Sequence, residues 1–161
     1  MDPVAYFELN FKPNVALVSV VRRFVSEFYA RFLSDPDGTS RVALATHELL
    51  ENAVKYSKDG ETTLRIDVDT NATPKTVWIK LRNRAEPQHI AAIRAILDGI
   101  RAAPDAFTFY QQLIARQAKT REGSGLGLAR ICAEGEMAVT CEVLEGDTTV
   151  IEAVTAVGDG R

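Results

Sequence analysis

Two runs of alternating side chains, "TTLRIDVDT" and "KTVWIKLRN", flank the short segment from Asn71 to Pro74. Both are rich in β-branched residues and place Leu, Ile or Val at every second position, as a strand with one buried face does. So short a connection permits only antiparallel pairing, since a parallel crossover needs a dozen or more residues. A hairpin of this kind has an apolar face that other elements must cover. A further strand, "AYFELNFKP", alternates Tyr6, Glu8 and Asn10 with Phe7, Leu9 and Phe11 and ends at Pro13.

The cover is helical. Asn14 can cap a helix running to about Ser34, with Val18, Val21, Val25, Phe28 and Phe32 as its apolar stripe. "SDPDGTS" reads as a loop, and Ser40 as the cap of a second helix that carries Val42, Ala45, Leu49 and Ala53 on one face. Asp59-Gly60 is expected to close that helix and turn the chain. Helical patterns run from about Pro87 to Ala102 and from Pro104 to Lys119, each with Pro near the first turn, where its missing N–H costs least. A short helix follows "GSGLG", and "MAVTCEVLEGDTTVIEAVTAV" supplies two last strands with Glu145-Gly146-Asp147 at the turn. The order β-α-α-β-β-α-α-α-β-β predicts an α+β fold, a two-layer α/β sandwich whose mixed, mainly antiparallel sheet carries helices on one face. With 161 residues and 46% hydrophobic content, the expectation is a single domain over 1–161.

Composition removes several functions. A net charge of -3 leaves no broad basic surface for phosphate backbones, so nucleic acid is not an expected partner. The first residues lack the features of a signal peptide and no run is apolar enough to span a bilayer, which predicts a cytoplasmic protein without a membrane partner. Cys132 and Cys141 lack C-x-x-C spacing and read as buried thiols.

On the second helix, within "HELLENAVKYS", Glu48, Asn52 and Lys55 share a polar face opposite the apolar one. Asn is a weak helix former, so Asn52 in a helix interior implies a hydrogen bond or a ligand. Glu51 and Lys55 offer a plainer alternative, an exposed ion pair. Downstream, "GSGLGLAR" is neither a Walker loop, which needs a lysine absent here, nor a dinucleotide fingerprint, because Gly123, Gly125 and Gly127 are spaced G-x-G-x-G after the polar "RQAKTRE". It is a glycine loop opening into a helix whose free N–H groups favour an anion, or else a linker before an ordinary helix. The glycines alone do not decide between these.

A helix with E-x-x-x-N followed by G-x-G-L-G-L resembles the ATP-binding (Bergerat) domain of the GHKL superfamily, and within it the single-domain serine-kinase anti-sigma factors of bacterial partner-switching systems. The resemblance implies that Glu48 is the general base toward an attacking hydroxyl and that Asn52 coordinates Mg²⁺. It also implies that Lys55 meets phosphate oxygens. Gly123, Ser124, Gly125, Leu126, Gly127 and Leu128 would wrap the β- and γ-phosphates of ATP, with "RQAKTRE" as a mobile lid.

One motif is missing. ATP-binding members carry D-x-G-x-G after the second hairpin strand, where this chain reads Asn83-Arg84-Ala85-Glu86-Pro87. Asn83 is the nearest residue to the vacant adenine-recognising position, and its amide offers one hydrogen bond to a base. Three functions follow, in order: a nucleotide-binding regulatory switch, an active serine kinase, and a pseudo-kinase that only binds protein. The expected partner is a sigma-like factor or its antagonist. Surplus apolar residues in "VALVSVVRRFVSEFYARF" suit that partner or a homodimer face.

Overall fold

In the computed structural model, which describes residues 4–120 and 125–158, the hairpin is the centre of the sheet. Its strands are β2 (Ser57–Asp69) and β3 (Lys75–Ala85), joined around a cis Thr73-Pro74 peptide. β1 (Val4–Phe11) pairs on the outer side of β2, β5 (Thr148–Val157) on that of β3, and β4 (Ala138–Leu144) on that of β5. The order is β1-β2-β3-β5-β4 and every pairing is antiparallel. A short 3₁₀ turn, Glu145–Asp147, joins β4 to β5, with Gly146 at φ 70°.

The burial alternates along β2 from Thr62 and along β3 from Val77, and Leu64, Ile66, Val68, Val77 and Ile79 are fully buried under the helices. α1 (Val15–Phe32) contributes Val18, Val21, Val25 and Tyr29, and α2 (Pro36–Tyr56) contributes Val42, Ala45, Leu49 and Ala53. α3 (Pro87–Ala102), α4 (Ala106–Thr120) and α5 (Leu126–Ala133) complete the second layer. The α+β sandwich is therefore present.

Three local expectations are corrected. α2 begins at Pro36 rather than after Ser40, because Asp35 accepts the Asp37 N–H at 3.1 Å and Pro36 already holds a helical φ. Asp59-Gly60 does not turn the chain out of α2. The helix passes into β2 at Ser57, and Gly60, at φ 79°, lies in a register irregularity of that strand. α4 starts at Ala106, not Pro104, since Asp105 caps it by accepting both the Thr108 N–H at 2.7 Å and its hydroxyl at 2.9 Å.

A candidate nucleotide site between α2 and α5

α5 begins against the polar face of α2. Gly125, the residue before α5, has φ 89°, and a Cβ there would lie 2.6 Å from the Ile96 side chain. Glycine alone suits both the conformation and the space. The helical ladder starts with Ala129 N–H on Gly125 C=O at 3.1 Å, so the N–H groups of Leu126, Gly127 and Leu128 belong to the open helix end. That end carries the positive pole of the helix dipole and suits an anion.

Gly127 brings the two helices into contact. A Cβ on it would sit 2.7 Å from Glu48 Oε2 and 3.6 Å from Asn52 Oδ1. The polar face of α2 is thus aimed at the first turn of α5. Glu48, with its side chain 16% exposed, accepts a hydrogen bond from Arg130 Nη1 at 3.1 Å, and Arg130 Nε bonds Glu134 at 2.7 Å. Glu134, and after it Glu48, holds the Arg130 guanidinium above its ordinary pKa. Burial, followed by the Glu134 carboxylate, pushes the Tyr110 phenol up, which marks Tyr110 of α4 as a neighbour of the same cluster.

The Asn52 side chain makes no hydrogen bond to any described residue and lines a cavity of about 40 Å³ with Tyr56, His89, Asn83, Gly125 and Thr149. Asn83 is buried on β3, and Thr149, its register partner on β5, donates to the Asn83 side chain at 3.0 Å. The Tyr56 and His89 rings pack together at a tilt of 50°, their centroids 4.4 Å apart.

Glu48, Asn52, Gly127 and Leu128 are thereby brought together, with Asn83 one cavity away. Lys55 is exposed near the end of α2, has no ion pair or hydrogen bond among the described residues, and does not line the cavity; it forms no pair with Glu51. Arg116 to Thr120, expected within the lid, are the last residues of α4. Gly123 and Ser124 lie outside the described residues. Arg130, Glu134, Tyr110 and Thr149 were not singled out from the sequence. Arg130 stands inside the quoted "GSGLGLAR", but nothing in its spacing links it to Glu48.

The donor set fits half of a Mg²⁺-nucleotide. Mg²⁺ is usually held by one or two protein oxygens plus phosphates, and Asn52 Oδ1 can supply one of them. Among the described residues no cluster of three metal-ligating side chains exists that would hold the ion alone. The base half is tighter: a ligand pocket usually needs ~300 Å³ or more, and Ala85 and Pro87 stand where the motif has glycines.

The family profile for the histidine kinase-like ATPase domain matches residues 11–133. The chain belongs to that family. The match runs from the end of β1 through α5 and includes both helices of the site. Among solved structures, this histidine kinase-like ATPase domain is similar to a chain of the SiaB-SiaC complex from Pseudomonas aeruginosa. The TM-score is 0.64 at 14% identity, over 94% of this chain and 89% of that one, which shows a shared fold. No curated protein matches in sequence.

Away from the site, Val15, Val20 and Phe24 of α1 are exposed, and Phe24 packs edge-on against Phe7 at 4.8 Å. No helix among the described residues is long and apolar enough to cross a membrane. Cys132 and Cys141 are free and half-buried, and burial pushes the Cys132 thiol up to about 11.

Proposed function

We propose that this histidine kinase-like ATPase domain is a nucleotide-responsive regulator of the partner-switching type. The observation that carries the proposal is the convergence of Glu48, Asn52 and the open N-terminal turn of α5 around Gly127. A carboxylate, an amide oxygen and the N–H groups of an open helix end in one place are the groups that a phosphate and a cation need, which supports this reading. The leading member of the three functions is a switch in which bound triphosphate and Mg²⁺ alter the affinity for a protein partner.

A bound nucleoside triphosphate supplies the transferable phosphoryl group if the protein also acts as a serine kinase of the anti-sigma type. In that role Glu48 takes the proton of the attacking hydroxyl, the N-terminal turn of α5 orients the phosphates, and Asn83, through its amide, meets the base. The solved neighbour is itself a complex of two proteins, which supports a protein partner here. The exposed Val20 and Phe24, one turn apart on α1, are the face we assign to that partner, a sigma-like factor or its antagonist, or to a second copy of the chain.

The cavity of about 40 Å³ favours a second function, a pseudo-kinase that binds protein alone. Asn52→Ala separates the two. A nucleotide regulator loses its Mg²⁺-dependent binding of a non-hydrolysable analogue, whereas a protein-only module shows no such binding to lose.

A further inference from the structure

Arg130 is one cation between two carboxylates. Its Nη1 holds Glu48 Oε1 at 3.1 Å while its Nε holds Glu134 Oε2 at 2.7 Å, so the cluster is left with a net negative charge. The Glu134 pair is local, four residues apart between α5 and the residue at its C-terminal cap, and exposed on both sides. Such a pair holds the arginine stem in place but adds little. The Glu48 pair is different: it crosses from α5 to α2 and ties up a carboxylate that is mostly withdrawn from water.

The same carboxylate borders Gly127, where the α5 N–H groups open. Glu48 touches both groups, its Oε2 at the Gly127 position and its Oε1 on Arg130 Nη1, so the Arg130 guanidinium lies beside the carboxylate that borders the first turn. A phosphate drawn to that turn would arrive beside Glu48, repelled by its charge and attracted by Arg130. Guanidinium binds phosphate as readily as carboxylate, so a phosphate and Glu48 compete for the Nη1 that now holds Glu48.

Resting on the nucleotide function proposed above, we infer that Arg130 is a terminal-phosphate sensor. In the nucleotide-free protein it occupies Glu48, and the last phosphate of a nucleoside triphosphate draws it off, releasing the Glu48 carboxylate only when the triphosphate is loaded. A diphosphate, one phosphate shorter, leaves the Arg130–Glu48 pair in place.

The test is calorimetric titration of the full chain with Mg²⁺ and a non-hydrolysable triphosphate or the matching diphosphate, in whichever of the adenine or guanine series binds more tightly. Wild type is compared with Arg130→Gln and Arg130→Lys, each first checked by thermal melting. Wild type should prefer the triphosphate, and Arg130→Gln should weaken the triphosphate by about tenfold or more while the diphosphate stays within about twofold. Arg130→Lys should keep part of the preference, because an ammonium still meets phosphate as a point charge. Equal loss for both nucleotides, or no loss for either, would make Arg130 a strut between α2 and α5 and overturn the inference. Should Arg130→Gln not fold, the lysine variant decides by the same contrast. If wild type binds neither nucleotide, the proposed function itself fails, and the sensor with it.

Discussion

Glu48 fills the space that a side chain on Gly127 would need: its carboxylate stands 2.7 Å from where that side chain would begin. Gly127→Ala therefore strikes the far end of a flexible side chain, not the backbone. The helix gains up to about 1 kcal/mol of propensity from the change, which offsets the displacement of Glu48. The melting temperature should stay within a few degrees of wild type while binding of the triphosphate analogue weakens. A large drop in melting temperature would show that the contact is structural.

Gly125→Ala is a different substitution although it lies only two residues away. At φ 89° an L side chain costs roughly 1–2 kcal/mol, and the new Cβ would press on Ile96 at 2.6 Å. Denaturant unfolding should register a loss of at least about 2 kcal/mol. A loss much smaller than that would mean that α3 yields at Ile96.

Tyr29 is fully buried, and its hydroxyl lies 2.8 Å from Thr46 Oγ1. Thr46 spends its own proton on Val42 C=O at 2.8 Å, so Tyr29 is the donor, and burial raises its phenol well above the ordinary range. Tyr29→Phe removes the donor without stranding Thr46, and should cost about 1 kcal/mol, a fall of about 2–4 °C in melting temperature. Thr46→Val should cost more, because it leaves the buried Tyr29 hydroxyl without its acceptor.

Burial raises the Cys132 thiol to about 11 from an ordinary value of 9.0. The folded state thus favours the protonated form, so between about pH 9 and 11 the unfolded chain holds fewer protons and stability falls as pH rises. Below pH 9 the effect is absent. Alkylation at pH 8 should be slow in the native protein and fast after denaturation, and equally fast labelling of Cys132 in both states would contradict its burial.

Much of the scaffold was legible because it is periodic. Val42, Ala45, Leu49 and Ala53 follow helical spacing and all are fully buried, and the hairpin strands alternate as written. What failed was local competition between signals: Asp35 with Pro36 outranks Ser40 as a helix start, and the positive φ of Gly60 serves a strand irregularity, not a turn. In the site, Glu48 and Asn52 were legible because one helix carries them. The Glu48–Arg130 and Asn83–Thr149 contacts were not, since each joins residues far apart in sequence and exists only once the α2–α5 packing and the β3–β5 register are set.

The central claim is that phosphate and Mg²⁺ bind between α2 and the start of α5, and calorimetric titration of the wild-type chain with non-hydrolysable ATP and GTP analogues, with and without Mg²⁺, tests it most directly. The account predicts saturable Mg²⁺-dependent binding, for ATP alone if Asn83 and its surroundings select the base and for both analogues if the phosphates dominate. No heat of binding for either analogue at millimolar concentration would contradict it and leave a protein-binding module on a histidine kinase-like scaffold.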